Sequence, residues 1–219
     1  MLNLSPTLPR DRSLVVLLLG AHSDDIEIGC GGTVLQLASS NLDVEVHWVV
    51  FSAIDQRRKE AKASAHDFLA EIPKTSVELH DYPDAYFPAH YAALKDSFKA
   101  LSRQVTPDIV FTHYRDDLHQ DHRMISELTW NAFRDNLILE YEIPKYDGDF
   151  GQPNLFVPIP EDVCNLKTSK LRRHFASQEN KIWFTDDLFS SVMRLRGIEA
   201  RSPTGYAEAF YNRKACMNW

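Results

Sequence analysis

The feature that most constrains this chain is the way its first apolar run stops. Hydrophobic side chains are unbroken from Leu14 to Leu19, the pattern of a parallel strand buried on both faces, and the strand spans 13–19. It runs straight into Gly20-Ala21-His22-Ser23-Asp24-Asp25. A helical pattern follows over 26–40, with Val34, Leu35, Leu37 and Ala38 on its inner face. Further strands are expected at 43–51, 76–80, 107–112 and 137–142, and further helices at 56–71, closed by Pro73, at 91–105 and at 122–134. Such alternation implies βαβ crossovers, and so an α/β fold with a mostly parallel sheet flanked by helices.

The texture changes after Ile143. Residues 144–160 hold four prolines and two glycines and read as a long connection, followed by helices at 161–177 and 185–195 and a last strand or extended segment at 205–211. The expectation is one domain over 1–219, with a core at about 13–143 and a C-terminal helical extension at about 144–219. With 24 Lys and Arg against 31 Asp and Glu, the net charge of −7 argues against nucleic acid as a partner. Cys30, Cys164 and Cys216 form no C-x-x-C pair, which supports neither a disulfide framework nor a thiolate zinc site. Arg10 and Arg12 precede the first apolar run as in a signal peptide, but the run is followed by His and Asp, not by a cleavage site, and is too short to span a bilayer. A reduced, cytoplasmic chain without integral membrane contact is expected.

In an open parallel sheet, ligands bind beyond the carboxyl ends of the strands. Two strands end there in dense polar clusters: His22 to Asp25, and His113-Tyr114-Arg115-Asp116-Asp117-Leu118-His119-Gln120-Asp121-His122. His22 and Asp25 can face one point, His122 can complete a three-ligand set for zinc, and a neighbouring carboxylate such as Asp24 can act as general base. Ferrous iron or cobalt also suits such donors. His119 is placed to face the same cavity. The bland reading makes Asp24, Asp25 and Asp121 helix caps and first-turn acids; two such clusters at one sheet edge favour a site.

Ala21-His22-Ser23-Asp24-Asp25 with Glu27 and Gly29-Cys30-Gly31-Gly32-Thr33 resembles the A-H-P-D-D-E…G-G-T signature of the PIG-L (LmbE-like) deacetylases. His119-Gln120-Asp121-His122 resembles that family's H-x-D-H motif, Arg57 with Glu60 its R-x-x-E helix, and Tyr206-Ala207-Glu208-Ala209-Phe210 its Y-A-E-x-F. The resemblance implies a Rossmann-like fold and zinc-dependent removal of acetyl from an N-acetylated amino sugar or its conjugate. A related amidase for larger acyl amides or thiol conjugates, and a non-catalytic carbohydrate-binding protein, are the alternatives. It also implies that His22, Asp25 and His122 are the metal ligands, Asp24 the general base, His119 the oxyanion-stabilising or proton-donating histidine, and Asp121 the acid that orients and charges His119. Ser23 departs from the usual proline, and Glu27 lies one position beyond the usual acid, so it receives no role.

Two arginines are candidates for holding substrate. Arg57 can reach sugar hydroxyls or a phosphate, or else lie on a solvated helix face paired with Glu60. Arg115 can grip an anionic or hydroxylated group, or else pair with Asp116 or Asp117. A dinucleotide site is disfavoured, because the G-x-G-x-x-G spacing is absent and His22, Asp24 and Asp25 fill the turn that would cradle a pyrophosphate.

Overall fold

The computed structural model describes residues 11–216, so Arg10 lies outside the described residues. Strand β1 (Leu14–His22) pairs in parallel with β2 (Val44–Ser52) on one side and β4 (Ile109–His113) on the other. The edge beyond β2 is β3 (Lys74–Leu79), and beyond β4 lies β5 (Leu137–Tyr141). Helices α1 (Asp25–Ala38), α2 (Asp55–Phe68), α3 (Tyr91–Gln104) and α4 (Gln120–Ala132) make the crossovers. Two separate apolar cores follow from the pleat: Leu14, Val16 and Leu18 of β1 belong to one, Leu17 and Leu19 to the other. The seven-stranded order β3-β2-β1-β4-β5-β7-β6 reverses direction between β1 and β4, which makes their carboxyl ends the switch point where such sheets bind ligands.

The extension holds helices α5 (Glu161–His174) and α6 (Asp186–Glu199) and the expected last strand β7 (Tyr206–Asn212), but it also adds an unexpected strand, β6 (Leu155–Ile159), and both strands join the sheet antiparallel. Strand β6 falls inside the stretch read as a connection. Its Pro158 lacks a donor for a ladder, which masks the strand in the sequence, and β6 tolerates it by lying at the sheet's edge. Among the described residues no helix is long and apolar enough to cross a membrane.

Helix α1 is kinked at Cys30, where φ is −141° and ψ 16°. The groups freed by the kink are taken up by the extension. Glu208 of β7 accepts the N–H of Gly32 and of Thr33, both at 2.7 Å, while the Lys167 ammonium of α5 donates to Ile28 O at 2.7 Å and to Glu208 at 2.7 Å. A side chain at Gly29 would collide with the ring of Tyr141, and one at Gly32 would sit 2.9 Å from Glu208 Oε1. The glycines therefore serve close approach. Both charges of the Lys167–Glu208 pair are buried, so Glu208→Ala would leave an unpaired buried ammonium. It is expected to lower unfolding free energy in urea by about 3–5 kcal/mol; an unchanged midpoint would contradict this role.

Candidate metal and hydrolytic site

Three ligand-type atoms from two neighbouring strand ends converge. His22 Nδ1 lies 3.1 Å from His122 Nε2 and 3.4 Å from Asp25 Oδ2, and His122 Nε2 lies 3.6 Å from Asp25 Oδ2. The two distances to Asp25 match the edges of about 3.3–3.6 Å of a tetrahedron with metal–ligand bonds of about 2.0–2.2 Å, and the distance between the imidazoles falls about 0.2 Å short of them. The donors, two imidazoles and a carboxylate, are of the kind that hold zinc with one position open to solvent. The fit therefore rests on both spacing and chemistry.

The surrounding groups select the right lone pairs. His122 Nδ1 is 2.9 Å from Asp117 Oδ2, and burial together with His113 pushes its pKa down to about 3, so the neutral ring donates from Nδ1 and leaves Nε2 free. Asp117 is itself steadied by the His119 N–H at 2.8 Å and the Lys145 ammonium at 2.9 Å. His22 presents its other nitrogen, Nε2, to Asp84 at 3.0 Å and Asp121 at 3.3 Å. Although burial opposes it, Asp25 and those two acids raise the His22 pKa well above its ordinary value. Burial also opposes ionisation of Asp25, and His122, His113 and His22 overcome it and hold that carboxyl well below its usual range.

Asp24 does not behave as a helix cap. It occupies the N-cap position of α1 without a side-chain bond to the helix. Its Oδ1 instead accepts from Arg57 Nη2 at 2.6 Å, while its buried Oδ2 has no hydrogen-bond partner among the described residues. Burial, only partly offset by Arg57, raises its pKa. Ser23 donates its hydroxyl to Ser52 O at 3.3 Å, a bond across to β2 that proline could not make.

His119 caps α4: its Nδ1 accepts from the Asp121 N–H at 3.2 Å, so the ring proton resides on Nε2. Burial and the neighbouring His22 lower its pKa. The Asp121 carboxylate accepts the Ala85 N–H at 2.7 Å and the Phe87 N–H at 3.2 Å and lies against His22, while its main-chain N–H meets His119. These bonds hold Ala85 at φ 65°, in the left-handed region, and so place Asp84 over the site.

The arginines part company. Arg57 pairs with Asp24 and with Glu60, which lies 3.1 Å away. Arg115 is exposed, and among the described residues its one hydrogen bond runs from its main-chain N–H to Glu140 at 3.0 Å; Asp117 goes to His122 and Lys145. The structure thus brings His22, Asp24, Asp25, Arg57, His119, Asp121 and His122 together and leaves Arg115 outside their contacts. Sequence reasoning missed Asp84, Asp117 and Lys145. Asp117, five residues before His122, was within reach of a search for a carboxylate behind each ligand histidine. The contribution of Asp84 depends on how its loop folds.

Comparison with known proteins identifies relatives of the chain and of its fold. The PIG-L family, described as GlcNAc-PI de-N-acetylase, matches residues 17–133. The Escherichia coli K12 protein YaiS, described as an uncharacterized deacetylase, is 27% identical over 180 residues, covering 73% of this chain and 89% of that protein. The N,N'-diacetylchitobiose deacetylase of Pyrococcus horikoshii superposes with a TM-score of 0.69 at 25% identity, over 90% of this chain and 83% of the other. GalB of Pseudomonas putida KT2440, a 4-carboxy-2-hydroxymuconate hydratase, shares the fold with a TM-score of 0.70 at 18% identity, over 94% and 98% of the two chains.

Glu27, beneath the site on α1, is fully buried, and burial pushes its carboxyl from 4.5 up to about 8. Between those values the folded chain holds a proton that the unfolded chain has released, so stability falls with rising pH by up to about 1.4 kcal/mol per unit from this group. In urea unfolding of the metal-free protein from about pH 5 to 8, Glu27→Gln is expected to gain stability relative to wild type as pH rises. Parallel pH dependences would contradict the assignment.

Proposed function

The chain belongs to the PIG-L (GlcNAc-PI de-N-acetylase) family, and from that premise we propose that it is a metal-dependent hydrolase that removes the N-acetyl group from an amino sugar or small glycoconjugate, giving acetate and a free amine. The observation that carries this reading is the set of three converging donor atoms, His22 Nδ1, Asp25 Oδ2 and His122 Nε2, with the unpartnered Oδ2 of Asp24 next to them in the chain. A divalent ion held by that set, zinc by the chemistry of the donors, supplies a Lewis acid for the acetamide carbonyl and for the attacking water.

The remaining work falls to the chain's own groups. Asp24 Oδ2 accepts a proton from water as the water oxygen bonds to the carbonyl carbon. Burial, by raising the Asp24 pKa, makes it a better acceptor than an exposed aspartate. His119, with Nδ1 occupied by the Asp121 N–H, donates from Nε2 toward the oxygen on which negative charge grows. As the carbon–nitrogen bond breaks, the proton held on Asp24 passes to the departing nitrogen, and the second product leaves as acetic acid, which gives its remaining proton to solvent and becomes acetate. Asp117 and Asp121 keep His122 and His22 turned so that the ligand nitrogens face inward.

The test is acetate release from N-acetylglucosamine and its β-1,4-linked disaccharide by protein loaded with zinc. Asp24→Asn is expected to retain the wild-type metal content while losing about 100-fold or more in rate. A fully active Asp24→Asn protein would overturn the assignment of the base, and release of a longer acid in place of acetate would redirect the reading to the wider amidases.

A further inference from the structure

The R-x-x-E pair on α2 and a turn from the C-terminal extension together do something that neither does alone. Arg57 Nη2 holds Asp24 Oδ1 at 2.6 Å, and its other terminal nitrogen, Nη1, lies 3.1 Å from Glu60 Oε2 and 3.5 Å from Ser177 Oγ. The guanidinium also rests over the ring of Phe175, 5.2 Å from its centroid. Glu60 is fixed from the other side: its Oε1 accepts the Ser177 N–H at 3.0 Å and its Oε2 accepts the Ser177 hydroxyl at 2.7 Å. Its side chain is only 4% exposed, against 25% for Arg57. Ser177 belongs to the short turn Ala176–Gln178 that follows α5, where Gln178 Nε2 donates to its hydroxyl at 2.9 Å.

Resting on the hydrolytic reading above, we propose that Glu60, held by Ser177, is a positioning residue: it keeps Arg57 on Oδ1 of Asp24, which leaves Oδ2 as the one oxygen free to take the proton of the attacking water. Glu60 is buried behind Arg57 and acts only through it. With Arg57 unpinned, its guanidinium can swing to either oxygen of Asp24 or into solvent, and the free lone pair no longer faces a fixed direction. Misplacement of a reacting group by about 1 Å costs on the order of 100-fold. The three-residue spacing of Arg57 and Glu60 on one helix face thus has a purpose beyond an ordinary surface pair, and the extension enters the chemistry through the turn at Ser177. The rival is that Arg57 grips substrate directly, in which case its loss is felt in binding.

Two arms decide it. In the first, Glu60→Gln, Ser177→Ala and Arg57→Gln are compared with wild type, each with zinc content and melting temperature measured alongside. The expected result is a kcat lowered by about 10-fold or more in Glu60→Gln, with KM within about twofold. In the Arg57→Gln background, Glu60→Gln should add no further loss. A raised KM with unchanged kcat in Arg57→Gln, or losses that multiply in the double variant, would overturn the proposal. The second arm needs no turnover: the rate at which phenylglyoxal modifies Arg57, read by peptide mass, should rise about tenfold in Glu60→Gln and in Ser177→Ala as the guanidinium is released. Equal rates in all three proteins would overturn it. A wild type that releases no acetate from any sugar would defeat the hydrolytic reading, while the second arm still decides the pin.

Discussion

Across the switch point, the N–H of Ala21 donates to His113 Nε2 at 2.9 Å, and the geometry beyond it depends on that bond. In-register pairing of β1 with β4 runs from Val16 opposite Ile109 to Leu18 opposite Phe111. Past it the two chains need some other tie, and a fully buried imidazole supplies it. The same His113 nitrogen lies 3.2 Å from Asp25 Oδ2, and its ring stacks on that of His122 at 4.0 Å. One side chain therefore sets the distance between the two motifs, which are almost a hundred residues apart in sequence. Tyr141 of β5, donating to Leu19 O at 2.6 Å, braces the joint from the next strand, and Gly29 leaves it the room to do so.

That joint gathers charges that would not tolerate one another in isolation. Asp24, Asp25, Asp117 and Asp121 all lie within the buried shell, and burial of so many carboxylates is strongly unfavourable unless cations or donors answer them. The chain answers each differently. Arg57 takes Asp24, Lys145 and His122 take Asp117, two main-chain N–H groups take Asp121, and the main-chain N–H of His22 takes Asp25 at 2.6 Å. The result is a set of neighbouring groups pushed in opposite directions: Asp24 upward, Asp25 and His122 downward, His22 upward. Strong shifts clustered at one sheet edge mark a candidate functional site.

Much of this is legible in the sequence because the signals are local. The apolar run ending in Gly20-Ala21-His22 marks β1 and its mouth, and the three-residue spacings of His22 with Asp25 and of His119 with His122 put side chains on one side of a turn. What escapes is set by contacts between distant segments. Nothing near Asp84 in the chain says that two N–H groups of its loop will dock on Asp121. Nothing near Asp121 says that its carboxylate will turn away from His119, its neighbour in the motif. Strand β6 hides behind Pro158, and Glu208, noticed only as part of a motif, serves the kink in α1 rather than the site. Arg57 was readable as an arginine near the site, but its partner Asp24 was not.

The central claim is that His22, Asp25 and His122 form one preassembled divalent-metal site. Zinc content after loading and desalting, measured beside His122→Ala and beside Asp117→Asn, tests it most directly. The account predicts about one zinc per chain in the wild type, loss in His122→Ala, and an affinity weakened by about 10–100-fold in Asp117→Asn, since that carboxylate sets the ligand tautomer. Equal zinc content in the wild type and His122→Ala would contradict it.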